Sequence, residues 1–232
     1  MVRFYIVSTG WKCERTLDRC LDSVDNQTYK NWTHNITIDE GGDWDYEEKT
    51  SKRTVFKSLQ RGGKMLNYIL ATNHVRGDTV ICDLDLDDQL EPDALEIVAK
   101  EYEANPNLLM TYGSYTMESG RPARFNGPYE SEKFRGLPWR GSHLKTFKAS
   151  LFHRIKPNDF KGPPDGNWIM SGADMAMMYP MLEMAGLDRI KFIDKPIYIY
   201  NDLNPLNDHK TDPALQKRIE RWLRSRRPYK RW

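Results

Sequence analysis

Apolar positions in the first half of the chain come either as short continuous runs or at three-to-four spacing, and their order predicts strands and helices in turn. Arg3 to Val7 is an apolar and aromatic run that Ser8-Thr9-Gly10 breaks, so it reads as a strand ending in a tight turn. Leu17, Leu21 and Val24 share one helical face, which places an amphipathic helix over about Glu14 to Asp25. Asn35 to Ile38 reads as a second strand with Asp39 at its tip. Strand, helix, strand with polar groups at both carboxyl ends is a βαβ unit of the nucleotide-binding kind, hence an α/β fold.

Residues 41–61 are polar and without clear period until Val55 and Phe56, and are expected to form a loop or short helix over the site. Met65, Leu66, Ile69 and Leu70 mark a helix over Lys64 to Thr72, and Gly77 leads from it into the apolar run Thr79 to Cys82. Pro92 suits a first helical turn; Leu95, Val98 and Tyr102 carry the face on until Asn105-Pro106 stops it, and Leu108 to Tyr112 is another strand. Beyond Gly113 the chain is rich in Gly, Pro and aromatic residues through Trp139, which predicts an irregular half. His143 to Phe152 reads as a short buried element. A methionine row from Asp174 to Gly186 reads as a core helix carrying Pro180, and Ile190 to Tyr200 as one extended segment.

Composition narrows the picture. A length of 232 residues suits one large domain or two closely packed halves, and a net charge of +2 gives no general drive toward nucleic acid. The charge is uneven, because eight basic residues lie between Lys217 and Trp232 against Glu220. There Asp212-Pro213 opens a helix with Leu215, Ile219, Trp222 and Leu223 on one stripe, whose basic surround suits a solvated face or peripheral contact with an anionic membrane. Cys13, Cys20 and Cys82 are odd in number and have no metal-type spacing, which argues for reduced thiols. With no signal-like or membrane-spanning run at the start, and with sequons at Asn26, Asn31 and Asn35 where glycans would obstruct folding, a cytoplasmic site is expected.

The chemistry concentrates at Asp83-Leu84-Asp85-Leu86-Asp87-Asp88, where an apolar run delivers four carboxylates to its end. Unpaired carboxylates cost several kcal/mol each when buried, so such a set calls for a cation, and hard oxygen ligands suit Mg2+ or Mn2+. A calcium loop starting at Asp83 fails, since it needs Gly where Asp88 stands and Glu where Ala94 stands. A phosphatase-type aspartyl nucleophile and a solvated acidic turn remain as alternatives.

The ordered set Val7-Ser8-Thr9, Cys20-Leu21-Asp22-Ser23-Val24-Asp25-Asn26-Gln27-Thr28-Tyr29, Ile38-Asp39, Asp85-Leu86-Asp87-Asp88 and Gly172-Ala173-Asp174 resembles family 2 glycosyltransferases. The resemblance covers most of the chain. It implies the GT-A fold, a Rossmann-like sheet in a single compact domain. Residues 1–112 would be its nucleotide-sugar-binding half, 113–205 a loop-rich half for acceptor and catalytic base, and 206–232 the basic C-terminal helix and tail. The implied activity is metal-dependent inverting transfer of a hexose-like unit from a nucleoside diphosphate sugar, with UDP the family default, to a hydroxyl of a glycan or glycoconjugate. A non-catalytic sugar-nucleotide or glycan-binding protein of the same fold is the rival.

By the same resemblance Asp39 would meet the base of the donor nucleotide, and Thr9, Lys64, Asn67, Asp85 and Asp88 would line the donor. Asp87 would bind Mn2+ or Mg2+, with His209 as a further ligand. Asp174 would be the base that deprotonates the acceptor, although Ala173 stands where the family usually has Glu. Asp39 as a cap and Asp174 as an ordinary helix-opening acid are the plain structural readings. Trp139 and His143, from an aromatic group with Trp168 and Phe147, are candidates for stacking on the acceptor sugar. No nucleic-acid module is visible.

Overall fold

Along strand β1 (Phe4–Trp11), Phe4 and Ile6 face one side and Tyr5 and Val7 the other, the two-residue repeat of an extended chain. Because both sides pack against apolar layers, the strand reads as a continuous hydrophobic run rather than an alternating one. The computed structural model describes residues 1–40 and 50–232, without the side chain of His209. After β1 come α1 (Leu17–Asp25), β2 (Trp32–Asp39), β3 (Arg53–Lys57), α2 (Gly63–Thr72), β4 (Val80–Asp83), β5 (Gln89–Leu90), α3 (Ala94–Ala104) and β6 (Met110–Gly113). The second half adds β7 (Thr116–Met117), β8 (Lys145–Lys148), α4 (Ala149–Phe152), α5 (Ala173–Ala185), β9 (Ile190–Ile193), β10 (Tyr198–Tyr200), α6 (Asp208–Thr211) and α7 (Pro213–Ser225).

The described strands form a seven-stranded sheet in the order β3-β2-β1-β4-β8-β6-β9 and a small sheet β5-β10-β7. In the large sheet β3, β2, β1 and β4 run parallel, and β8 enters antiparallel between β4 and β6. Helices α1 and α3 cover one face through Leu17, Cys20, Val24, Leu95 and Val98, all essentially inaccessible. The other face is covered by α2, α5 and α7, including the methionines Met177, Met178 and Met181 of α5. Gln27 ties the first face together: its side chain donates to Glu91 O at 2.7 Å and accepts from Leu95 N at 3.0 Å. That buried amide accounts structurally for the Gln in the Cys20-to-Tyr29 string.

Four sequence expectations change. β1 runs straight through Ser8-Thr9-Gly10, read as a tight turn, to Trp11, because these residues pair in register with Ile36–Ile38 of β2. Arg53–Lys57 is a parallel edge strand in register with His34–Ile38, within the stretch read as loop or short helix; the rest of that stretch through residue 49 lies outside the described residues. Its exposure alternates over five residues, too short a run for a period to stand out. The extended segment from Ile190 divides at Asp194-Lys195-Pro196 into β9 and β10, which belong to different sheets. The acidic strand stops at Asp83, and Leu84 to Asp88 turns away with Asp88 N donating to Asp85 O at 3.0 Å. Leu84 and Leu86, both fully buried, pin this turn to the core, with Asp85 between them only half-buried.

Helix α7 begins as its sequence requires. Asp212 Oδ1 accepts from Leu215 N at 2.9 Å, Pro213 fills the first turn, and Ile219 and Leu223 are buried. Among the described residues no helix is long and apolar enough to cross a membrane.

Candidate active site

In a parallel sheet whose order reverses between β2 and β4 on either side of β1, the carboxyl ends leave a crevice. Asp83 closes β4 opposite Val7 of β1, and Leu84 N and Leu86 N then donate to Val7 O and Thr9 O, so the turn that follows lies along the end of β1. Gly10 permits that contact. A Cβ there would come within 2.7 Å of Leu86 Cβ and 2.9 Å of Cys13 Sγ, so a larger residue would push the acidic turn outward.

Two lysines hold one side of the carboxylate cluster. Lys64 Nζ, from the first turn of α2, lies 2.7 Å from Asp85 Oδ1, 3.2 Å from Asp83 and 3.6 Å from Asp174 Oδ1. Lys145 Nζ, from β8 and fully buried, lies 2.6 Å from Asp174 Oδ1 and 3.0 Å from Asp83 Oδ2. Burial works against the Lys64 ammonium, yet the attraction of Asp83, Asp85 and Asp174 outweighs it and raises the group well above its ordinary value. Burial likewise works to raise the Asp174 carboxyl, but Lys145 and Lys64 outweigh it and hold it well below the usual carboxylate range.

Asp87 and Asp88 lie on the other side, met by neutral donors. Tyr198 Oη donates to Asp88 Oδ2 at 2.6 Å, Asn201 N to Asp88 Oδ1 at 2.7 Å, and Asn204 Nδ2 to Asp87 Oδ2 at 2.6 Å. Burial, reinforced by Asp87 and Asp85, pushes the Asp88 carboxyl well above its ordinary value, and burial with Asp85 raises Asp87. One donor atom from each of Asp85, Asp88 and His143 lies within 4.8 Å of the others. His143 stacks on Tyr198 with ring centroids 4.4 Å apart and on Tyr200 at 5.6 Å. Its Nδ1 is buried with no hydrogen-bond partner among the described residues. Burial, then Lys145, lowers its pKa to about 3, so the imidazole is neutral.

The expected site residues therefore fall into groups. Lys64, Asp85, Asp87, Asp88, His143 and Asp174 meet at one cluster. Thr9 lies within β1, its carbonyl accepting from Leu86 N, and is buried. Asp39 accepts from Gly62 N at 2.8 Å and Gly63 N at 2.9 Å, one oxygen each, so in this structure it caps the start of α2. Asn67 is buried one turn further on, and its Nδ2 has no partner among the described residues. Trp139 packs edge-on against Tyr179 of α5, at 5.4 Å, within the apolar layer beneath that helix. The side chain of His209 lies outside the described residues. A cleft of about 440 Å³ opens beside Asp39's partner Gly62, between Arg61 and Leu66 on one side and Trp168, Met170 and Leu215 on the other.

Sequence reasoning missed Lys145, Tyr198, Asn201 and Asn204. For Lys145 a signal existed: a lysine inside the apolar run Leu144 to Phe147 is tolerated in a core only when paired. The other three come from around β10, whose place beside β5 joins residues more than a hundred positions apart and leaves no local pattern.

The mixed sheet in a single domain is the fold of the GT-A glycosyltransferases. The model of the family described as glycosyl transferase family 2 matches residues 6–156, and the chain belongs to that family. Solved structures share the fold at low identity. TarS of S. aureus is 16% identical with a TM-score of 0.63, over 86% of this chain and 37% of that one. Its 1–349 portion in complex with UDP is also 16% identical with a TM-score of 0.63, over 88% of this chain and 61% of that one. The mannosyltransferase PcManGT from Pyrobaculum calidifontis, in complex with GDP-Man and Mn2+, is 15% identical with a TM-score of 0.56, over 85% of this chain and 56% of that one. This chain thus spans less than two thirds of each of these relatives. No curated protein matches it by sequence.

Proposed function

We propose that the protein transfers a sugar from a nucleoside diphosphate sugar to a hydroxyl of a glycan or glycoconjugate, with inversion at the anomeric carbon and with help from a divalent cation. The observation that carries this reading is the cluster of Asp85, Asp87, Asp88 and Asp174 at the carboxyl end of the parallel strands, in a chain of glycosyl transferase family 2. TarS 1–349 in complex with UDP-GlcNAc and PcManGT with GDP-Man and Mn2+ support a nucleotide-sugar donor, with UDP the first base to test.

Asp85, Asp87 and Asp88 fit a hard divalent ion, because two of the three are buried or nearly so with raised pKa values and lack an ion-pair partner among the described residues. Such an ion would neutralise the departing diphosphate. Thr9, Asp39, Lys64 and Asn67 would line the nucleotide, Asp39 with the oxygen lone pairs its two backbone donors leave free. Neither His143, stacked on Tyr198 and Tyr200, nor Trp139, packed on Tyr179, offers a free ring face that favours it as a platform for the acceptor sugar.

Asp174 is our candidate for the base. Both of its described ion pairs fall on Oδ1, so Oδ2 can accept the acceptor's proton. A carboxylate held this far below its ordinary range takes that proton late, as the bond to the anomeric carbon forms. The same ion pairing, with Ala173 preceding it, favours the rival reading of a fold that binds donors without turnover.

Thermal melting against a panel of nucleotide sugars, with and without Mn2+, tests donor binding, since a ligand selective for the native state raises the midpoint. Asp174→Asn should then lower transfer by about 10²–10⁴ while donor stabilisation persists. Transfer at the parental rate would remove Asp174 from the mechanism; absence of turnover in the parent with donor bound would favour the rival. The free, buried Cys13, Cys20 and Cys82 support a reducing, cytoplasmic setting. The exposed basic residues of α7 leave peripheral contact with an anionic membrane as a further proposal, testable by vesicle co-sedimentation.

A further inference from the structure

A histidine that is 7% exposed, stacked on two tyrosine rings and with an Nδ1 that has no hydrogen-bond partner among the described residues is unusual, because a buried imidazole nitrogen normally finds a partner. His143 stands just before β8, the strand that enters antiparallel next to β4, and this insertion brings it to the acidic turn after β4. There a ring nitrogen, an oxygen of Asp85 and an oxygen of Asp88 lie within 4.8 Å of one another. Donors sharing one ion at about 2.1 Å can be at most about 4.2 Å apart, so small inward rotations complete such a site.

We infer that His143 is a nitrogen ligand of the divalent cation held at the acidic tip, together with Asp85 and Asp88, and that it biases the site toward Mn2+ over Mg2+. The inference rests on the reading of this cluster as a cation site. Imidazole suits transition ions, whereas Mg2+ prefers an all-oxygen, partly hydrated shell. The ring needs little ordering to bind. Tyr198 and Tyr200 fix its plane, and Tyr198 Oη also holds Asp88 at 2.6 Å, so one tyrosine orients two ligands. Lys64 occupies Asp85 Oδ1 and leaves that carboxylate's second oxygen for the ion.

The test uses the full chain and Mn2+ alone. Titration followed by loss of the free-ion EPR signal should give one bound Mn2+, and pulsed EPR of that ion should show coupling to a directly bound ¹⁴N that changes to ¹⁵N in histidine-labelled protein. His143→Gln should remove the coupling and weaken Mn2+ by about 10-fold or more, with competing Mg2+ affected several-fold less. Mn2+ bound without nitrogen coupling, no Mn2+ bound at all, or unchanged Mn2+ affinity in a folded His143→Gln would each overturn the inference. The parental spectrum decides even where the variant fails to fold. Donor binding measured without metal is a separate readout, so a failed His143 assignment and a failed glycosyltransferase reading are told apart.

Discussion

At Asp83, Asp85 and Asp174 the negative charge is met by Lys64 and Lys145 within 2.6 to 3.6 Å, whereas at Asp87 and Asp88, a few residues along, neutral donors meet it. Each side has one fully buried carboxylate, Asp83 on the first and Asp88 on the second, so the same chemistry has opposite consequences. Internal ammonium groups make the first side part of the folded framework. The second side retains buried charge that hydrogen bonds alone do not neutralise, which is where an added cation lowers the free energy most.

The largest test breaks the compensated side. Lys145→Met keeps the volume but leaves Asp83 and Asp174 to Lys64 alone, and should cost about 3–5 kcal/mol in urea unfolding. A loss near zero would mean the lysine is not needed to balance those acids. Next, the uncompensated side should respond in the other direction. Asp88→Asn should stabilise the metal-free protein, by about 1.4 kcal/mol for each pKa unit by which the folded carboxyl is raised. The same variant should lose the stabilisation that Mn2+ gives the parent. A lower midpoint without metal would show that Tyr198 and Asn201 already satisfy the charge.

The pH dependence sharpens the contrast. The Asp88 carboxyl is raised in the folded chain, so its ionised form opposes folding above that raised value, and the penalty is relieved as pH falls from there toward the ordinary carboxylate range. Asp174 is depressed, so its contribution is present above the ordinary carboxylate range and is lost only as pH falls through its lower folded value. Melting of metal-free parent and Asp88→Asn from about pH 8 to about pH 5 should diverge most at the alkaline end. Parallel curves would contradict the raised Asp88. The smallest effect belongs to the exposed pair Glu96 and Lys100, one helical turn apart at 2.8 Å; Glu96→Gln should leave the midpoint unchanged within error.

The βαβ order, the helices α1, α2, α3, α5 and α7, and the acid cluster were legible locally, because three-to-four spacing, capping residues such as Asp212 and the Leu84 and Leu86 anchors act within a few residues. Asp85, Asp87, Asp88 and Asp174 were likewise visible as types and positions. Their charge balance was not. It depends on β8 crossing into the sheet to bring Lys145 and His143 to β4, and on β10 pairing with β5 to bring Tyr198, Asn201 and Asn204 to the acids. Sequence by itself determined that carboxylates collect where an apolar strand ends; only the tertiary structure decided which of them the protein neutralises, because pairing across the sheet joins side chains that share no local period.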